Sequence, residues 1–157
     1  MILLKNNKKL FIDAQVILGL FSFRQITKSA DESGGILVGS IKTTGDIIIR
    51  GYSSPQRKDK ATRTSYKKNK QQHQQILDKY WETSGGYINY LGDWHTHPEK
   101  FPRPSHIDLK SWKHILNDNL NDEFYACIFM IVGIEELCIW LGEKRSKRLY
   151  EIKKIKI

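Results

Sequence analysis

The order of apolar and polar positions in the first third of the chain predicts a helix followed by a β-hairpin. After a short N-terminal strand or arm, residues 13–28 carry apolar side chains near helical spacing, with Asp13 in front of them as a candidate N-cap. The runs ILVGSI and DIIIRGY, separated by TTG within residues 35–52, are rich in the β-branched residues that favour strands. We therefore expect an amphipathic helix beside a core hairpin.

The rest of the chain predicts two further helices and three further strands. In order, the patterns indicate a loop at 53–62, a helix at 63–81, a strand at 87–97, a helix at 105–118, strands at 123–133 and 136–143, and a basic tail. No internal repeat or compositional break divides the sequence. Helices interspersed with antiparallel hairpins predict an α/β (α+β) fold, with a mixed sheet flanked by helices in a single domain spanning residues 1–157.

The cysteines and the N-terminal sequence favour a reducing compartment. Cys127 and Cys138 lie in apolar runs without a CxxC spacing, so we expect buried free thiols. The N-terminus lacks the pattern of an export signal, and the longest apolar run near it, residues 16–23, is far shorter than the roughly 20 residues that cross a bilayer. The expectation is a cytoplasmic protein without a membrane segment.

The chain has a strong excess of positive charge. The 26 Lys and Arg residues against 17 Asp and Glu residues give a formal net charge of +9, concentrated in residues 57–70 and 144–156. Such a surface attracts acidic partners through its long-range field. Because no series of base-stacking aromatic residues interleaves either cluster, solvated faces are the favoured interpretation and nucleic acid is the less favoured partner.

The sequence WHTHP contains two histidines with the spacing of a metal site. Residues two apart on a strand point to the same side, about 6.5–7 Å from each other, so His95 and His97 can present two imidazoles to one ion. A proline-rich loop leads to Ser105, and Asp108 in the first turn of the following helix can supply a third ligand. Two histidines and one carboxylate leave a tetrahedral Zn²⁺ with a fourth position for water, as in catalytic zinc sites.

Each of these residues also has an explanation without a metal. An HxH pair can be two hydrogen-bonded histidines on a strand, and Ser105 with Asp108 has the spacing of a helix capping box, worth about 1 kcal/mol. HxHP followed at fixed distance by SxxD is a more demanding combination than either part alone, which favours the metal. The other histidines carry no assignment: His73 and His114 fit core or surface positions of helices, and His106 is a candidate for lining the cleft.

The string GDWHTHPEKFPRPSHIDLKSW resembles the signature of the JAMM (MPN-plus, JAB) zinc metallopeptidases, with HxHP, six further residues, Ser, two residues and Asp matched in order. This resemblance implies a cytidine-deaminase-like mixed sheet, with His95, His97 and Asp108 as zinc ligands and Ser105 as the residue that stabilises the oxyanion. The segment ESGGILVG resembles the family's Glu-x-Gly-Gly strand. It implies that Glu32 is the general base, a role that spacing alone leaves open between this residue, Asp93 and Glu99.

The resemblance is greatest to the JAB peptidases encoded with bacterial CBASS antiphage systems, and it covers about residues 32–112. In those systems a ligase attaches a cGAS-like nucleotidyltransferase to target proteins through its C-terminus, and the peptidase removes it. Asp93 departs from the expected Glu before Trp94, which bears on substrate contacts. The implied substrate is therefore a protein that carries a conjugated or fused ubiquitin-like or nucleotidyltransferase C-terminus, in antiviral defence.

Three other functions remain open at this point. The same zinc chemistry would process a small sulfur-carrier or ubiquitin-like precursor. A RadC-like nucleic-acid-associated protein would suit the positive charge, but the chain lacks the helix-hairpin-helix region that usually precedes the motif in RadC-like chains. A metal-free scaffold of the same fold would bind partners only, but all five motif residues are present.

Overall fold

One large mixed sheet dominates the computed structural model, which describes residues 1–118 and 124–157. Within these residues the sheet has eight strands in the order β1-β2-β4-β3-β7-β8-β9-β10, and a separate hairpin joins β5 to β6. The strands are β1 (Ile2–Leu3), β2 (Lys9–Ile12), β3 (Gly34–Ile41), β4 (Ile47–Tyr52), β5 (Lys60–Thr62), β6 (Ser65–Lys67), β7 (Asn89–Thr96), β8 (Ala126–Val132), β9 (Glu136–Glu143) and β10 (Leu149–Lys156). The helices are α1 (Ala14–Phe21), α2 (Lys70–Thr83) and α3 (His106–Asn117).

The middle of the sheet combines both strand directions. β7 pairs antiparallel with β3 and parallel with β8, while β2 pairs parallel with β4. All seven residues of β8 are buried, which explains why its sequence is a continuous apolar run without alternation. The predicted mixed α/β fold is thereby confirmed.

Two apolar clusters pack against the sheet. The larger contains Val16 and Leu20 of α1, and the smaller contains Trp112 and Leu116 of α3. The Trp112 ring stacks on Phe129 of β8 with 4.7 Å between ring centroids. Since a buried tryptophan contributes about 3–5 kcal/mol to stability, this contact holds α3 firmly against the strand beside β7.

The predicted first helix ends earlier than expected. It is α1, and it stops at Phe21 rather than continuing to residue 28. The Ser22 hydroxyl donates to the Gly19 carbonyl and the Arg24 side chain to the Phe21 carbonyl, so the last turn is closed by side chains. The chain then turns inward and buries Gln25.

The predicted loop at 53–62 and helix at 63–81 were wrong in their boundary. A short hairpin, β5–β6, occupies residues 60–67, and α2 begins only at Lys70, where the Asn69 side chain accepts the Gln72 N–H. Both hairpin strands are polar and mostly exposed, so they lack the apolar alternation that would have indicated strands.

The C-terminal basic tail was also wrong, because residues 149–156 form β10 and pair antiparallel with β9. A register shift between Glu151 and Lys153 interrupts the alternation of apolar and polar positions that predicts a strand. The predicted strand at 123–133 is β8, from Ala126 onward; Glu123 lies outside the described residues. Cys127 and Cys138 are buried free thiols, as expected. No described helix has the length and hydropathy needed to span a bilayer.

Candidate metal centre and active site

The end of β7 brings the two motif histidines together. His95 lies between Gly34 of β3 and Ile131 of β8 in the sheet register, and the His97 N–H continues the pairing by donating to the Val132 carbonyl at 3.0 Å. Both residues are buried, and their Nε2 atoms lie 3.0 Å apart. The strand therefore points the two imidazoles at one place, as the two-residue spacing predicts.

Asp108 joins the histidines from the first turn of α3. Its Oδ1 lies 3.2 Å from the His95 Nε2, and its Oδ2 lies 3.2 Å from the His97 Nε2. The same carboxylate accepts the Ser105 N–H at 2.6 Å, while the Ser105 Oγ accepts the Asp108 N–H at 3.1 Å. The capping box is thus present together with the three-residue cluster, and the two interpretations of this motif do not exclude each other.

The three donor groups fit a divalent cation. A tetrahedral zinc ion with ligands at about 2.0–2.1 Å has neighbouring donors roughly 3.3 Å apart, close to the 3.0–3.2 Å separations in the cluster. Two imidazole nitrogens and a carboxylate oxygen are ligands that zinc accepts. In the part of the chain that the structure describes, no other three His, Cys, Asp or Glu side chains converge in this way.

The cluster is electrostatically coupled. Burial by itself would raise the pKa of Asp108, but hydrogen bonds from His95 and His97 outweigh it and hold that pKa far below its usual range. Burial would lower the pKa of His97, but its hydrogen bond to Asp108 and the charge of that carboxylate raise it above the ordinary value. The negative Asp108 therefore favours positive charge at the place where the three groups meet.

Glu32 lies two residues before the start of β3, where the chain approaches the end of β7. It is only 7% exposed, and its N–H donates to the Thr62 carbonyl of β5 at 2.8 Å. Burial raises the pKa of Glu32 to about 7, with a lowering contribution from His97 and raising contributions from Asp108 and Glu99. A carboxyl group that titrates near neutral pH, under the influence of the cluster charges, is suited to accepting and returning a proton.

The two other acidic residues that spacing left open are engaged differently. Asp93 forms an ion pair with Lys68 and accepts the Tyr90 hydroxyl at 2.9 Å. Glu99 is exposed and accepts the Arg103 N–H at 3.3 Å. Their positions favour Glu32 as the proton carrier.

Ser105 and the remaining histidines have distinct surroundings. Ser105 is exposed at the start of α3, and its Oγ uses a lone pair for the Asp108 N–H, which leaves the hydroxyl proton for another acceptor. His106 and His114 are exposed on α3. His73 is buried, in agreement with a core position.

His73 belongs to a second polar cluster that sequence reasoning missed. Its Nδ1 lies 2.6 Å from the Ser53 Oγ, and its Nε2 lies 3.0 Å from Asp59, which also accepts the Tyr66 hydroxyl at 2.6 Å. Serine, histidine and aspartate are the residues of a nucleophilic triad, but Ser53 is 1% exposed and its Oγ accepts the Ile36 N–H. This buried cluster ties residues 53–73 to β3. No spacing in the sequence marks it.

Gly34 and Gly35 explain how these residues pack onto β3. A Cβ on Gly34 would lie 2.5 Å from the Tyr66 ring, and a Cβ on Gly35 would lie 2.2 Å from the Ser53 carbonyl oxygen. The Tyr66 hydroxyl oxygen also lies 2.8 Å from the Gly34 carbonyl oxygen, so its single proton is shared between that carbonyl and Asp59. The Gly-Gly pair after Glu32 is therefore required for close approach of the hairpin segment, at the strand that pairs with His95.

Comparison with known proteins agrees with this geometry. Residues 23–148 match the family of prokaryotic homologs of the JAB domain. The chain is 35% identical to a CD-NTase/cGAS isopeptidase of Escherichia coli (strain TW11681), over 94% of this chain and 96% of that protein. It is 33% identical to a CD-NTase/cGAS isopeptidase of Vibrio cholerae serotype O1, over 92% of this chain and 87% of that protein.

Two more distant similarities concern the activity and the fold. A probable metalloprotease, y4qB, of Sinorhizobium fredii is 28% identical over 75% of this chain and 74% of its own length. A protein from Desulfitobacterium hafniense, solved in solution, superposes with a TM-score of 0.62 at 18% identity, covering 90% of this chain and 88% of that one. This last likeness bears on the fold alone.

The chain belongs to the prokaryotic JAB family. It is a metallopeptidase of the isopeptidase type, a metal-dependent hydrolase that acts on protein substrates. The predicted family and enzyme class are confirmed. The roles of Glu32, Ser105, His95, His97 and Asp108 stay predictions, as does the identity of the metal.

Proposed function

We propose that this chain is a zinc-dependent isopeptidase that cleaves the bond after the C-terminal residue of a conjugated nucleotidyltransferase or ubiquitin-like protein, reversing or priming conjugation in antiviral defence. The observation that carries the proposal is the convergence of His95, His97 and Asp108, whose candidate ligand atoms all lie within 4.8 Å of one another. The substrate class is supported by the two bacterial relatives named CD-NTase/cGAS isopeptidases, which match almost the whole chain. We also propose that residues 1–157 act as one peptidase domain.

His95, His97 and Asp108 would hold the zinc ion through two Nε2 atoms and one carboxylate. When bound, this ion would supply the Lewis acidity that polarises a substrate carbonyl and makes water a stronger acid. Glu32 takes a proton from the attacking water at its carboxylate and then delivers it to the departing nitrogen, because an amine leaves far more readily than an amide anion. Burial raises the pKa of Glu32 to about 7, which makes its carboxylate a better proton acceptor than an exposed glutamate.

Ser105 acts on the other side of the reacting carbonyl. Its hydroxyl proton is available because its Oγ accepts the Asp108 N–H and its position at the start of α3 is exposed. The hydroxyl donates a hydrogen bond to the oxygen of the tetrahedral intermediate, where negative charge develops. Loss of one such donor typically costs about 10²–10³-fold in turnover.

The surroundings of the site bear on where the protein works. Burial raises the pKa of Cys127 and of Cys138 to about 11, which disfavours the reactive thiolate. Two inert buried thiols suit a reducing compartment, and we place the enzyme in the cytoplasm. Exposed lysines and arginines at residues 57–70 favour an acidic partner, and because no series of base-stacking aromatic residues interleaves them, we propose protein and not nucleic acid.

The proposal is tested by incubating the purified, zinc-loaded protein with a nucleotidyltransferase fused through its C-terminus to a second protein. Mass spectrometry should detect a new C-terminus at the fusion junction. Glu32→Ala and His97→Ala should abolish the product while retaining the circular dichroism spectrum of the wild type. Uncleaved fusion under conditions that keep the protein folded and zinc-loaded would exclude this substrate.

The same reaction on a linear bond would serve a small sulfur-carrier or ubiquitin-like precursor. A second arm of the experiment therefore offers such a precursor with a C-terminal extension. Cleavage of the precursor alone would assign the chain to precursor processing. If neither substrate is cleaved although metal is bound in stoichiometric amount, the result would favour a protein that binds partners without cleaving them.

A further inference from the structure

Gln25 is a buried polar residue that connects three segments around the site. It is 1% exposed and lies beyond the end of α1. Its Nε2 donates to the Ala30 carbonyl at 3.0 Å and to the Arg63 carbonyl at 2.8 Å, and its Oε1 accepts the Thr96 hydroxyl at 2.9 Å. One amide group thus supplies two donors and one acceptor, and all three are used.

The three partners of Gln25 lie close in the chain to Glu32, to the carbonyl that binds the Glu32 N–H, and to the two histidines. Ala30 lies two residues before Glu32, and Arg63 follows Thr62, whose carbonyl accepts the Glu32 N–H at 2.8 Å. Thr96 stands between His95 and His97 on β7. The Gln25 side chain therefore reaches the approach to Glu32, the hairpin that binds the Glu32 backbone, and the strand that carries both histidines.

Thr96 completes the connection. Its Oγ1 accepts the Ser33 N–H at 2.9 Å while donating to Gln25, and its own N–H donates to the Ser33 carbonyl at 2.8 Å. The backbone on both sides of Glu32 is thereby hydrogen-bonded to β7 or to residues that Gln25 holds. Because the Gln25 and Thr96 side chains are buried, removing either one leaves the other with an unsatisfied donor or acceptor, at a cost that favours local rearrangement.

We propose that Gln25, acting through Thr96, is a positioning residue that fixes the backbone of Glu32 relative to His95 and His97. The inference rests on the proposed role of Glu32 as the proton carrier. Glutamate has three side-chain torsions, so its carboxylate is held in place only if its backbone is held. A displacement of about 1 Å at a reacting group can cost about 100-fold in rate.

The hydrogen-bond pattern requires glutamine at this position. Asparagine has one methylene fewer and does not span the three partners. Glutamate would place carboxylate oxygens against two carbonyl oxygens, and methionine fills similar space without any donor. For Thr96 the hydroxyl is what matters, so serine should replace it and valine should not.

The test compares Gln25→Met and Thr96→Val with Thr96→Ser and with Gln15→Met, a matched change at an exposed glutamine of α1. In the zinc-loaded protein, Gln25→Met and Thr96→Val should lower kcat about 10- to 100-fold with KM within about twofold, since the reacting geometry and not substrate binding is disturbed. Thr96→Ser should restore kcat to within about threefold, and Gln15→Met should match the wild type. Metal content should stay stoichiometric in all four variants.

A second measurement does not depend on cleavage. Amide hydrogen exchange should accelerate at Glu32 and Ser33 in Gln25→Met by at least about tenfold, with unchanged exchange along β8. Wild-type kcat in Gln25→Met, or unchanged exchange at Glu32 and Ser33, would overturn the positioning role. Loss of metal together with faster exchange throughout the sheet would show that Gln25 supports the fold instead. If the wild type cleaves no substrate, the proposed function fails. The exchange data would still show whether Gln25, through Thr96, holds the backbone of Glu32.

Discussion

Asp108 takes part in a helix cap and in the candidate metal cluster, and the two contributions can be separated. In Asp108→Asn the amide oxygen can still accept the Ser105 N–H, so the start of α3 is retained, but the negative ligand is lost. In Ser105→Ala the Asp108 N–H loses its acceptor, while the carboxylate keeps both histidine contacts. The first substitution should remove metal binding and the second should preserve it.

The expected shifts in Tm follow from the linkage between zinc binding and folding. At a free zinc concentration one hundred times the dissociation constant, binding stabilises the folded state by about 2.7 kcal/mol. For a chain of this length, each kcal/mol shifts Tm by about 2–4 °C, so zinc should raise the wild-type Tm by roughly 5–11 °C. Ser105→Ala should lower the metal-free Tm by about 2–4 °C, for a lost cap of about 1 kcal/mol, and keep the zinc shift. Asp108→Asn should reduce the zinc shift to near zero.

Differential scanning calorimetry of the three proteins, with zinc and with a chelator, measures both quantities. Metal content by mass spectrometry of the native proteins provides the independent check. A full zinc shift in Asp108→Asn would refute the ligand assignment and leave Asp108 as a capping residue only. A shift lost in Ser105→Ala would show that the helix start itself, and not the carboxylate, governs binding.

Further predictions concern the proton carrier, the buried cluster and the contact that holds α3. Glu32→Gln should lower the rate of cleavage at least about 100-fold with metal retained. The wild-type rate should fall as the pH drops below a midpoint at or under 7, because only the carboxylate accepts a proton and a bound cation lowers the pKa of about 7 that burial gives Glu32. A pH-independent rate from 5 to 8 would contradict this. Asp59→Asn should cost about 2 kcal/mol in urea unfolding at pH 7. Hydrogen bonds outweigh burial and lower the folded pKa of Asp59, so its stabilisation is present above the unfolded value of about 3.9 and is lost as pH falls through the lower folded pKa; the variant should therefore lose less stability than the wild type in that acid range, and equal losses would argue against it. Trp112→Ala should cost about 3–5 kcal/mol and weaken zinc binding as α3 loosens, whereas unchanged zinc affinity would separate α3 packing from the site.

The metal cluster can be predicted from the sequence because its three residues lie close together along the chain. His95 and His97 follow from strand geometry, and Asp108 follows from the first turn of a helix that begins only a short loop later. Glu32 is different, since it reaches the site through the pairing of β3 with β7, and only the family resemblance selected it from the sequence. Short-range patterns do not encode which distant strands become neighbours.

The same reason explains the features that were missed. The β5–β6 hairpin is polar on both faces, and its place is set by Tyr66 lying over Gly34 and by the buried contacts of Asp59 with His73. These contacts are made by polar residues and glycine, which the spacing of apolar residues along the chain does not reveal. The final strand was hidden by one register shift, which breaks the alternation on which prediction depends.

The hydrogen bond from Ser33 to Thr96 spans 63 residues of chain. Closing a segment of that length is entropically costly and belongs to the slower events of folding, whereas β7, its neighbour β8 and α3 are closer to one another in sequence. Under the proposed mechanism, a newly made molecule can thus gather its metal-binding groups before its proton carrier arrives. A chain in which β3 has not yet paired with β7 would then lack the proton carrier, and we expect it to have little hydrolytic activity.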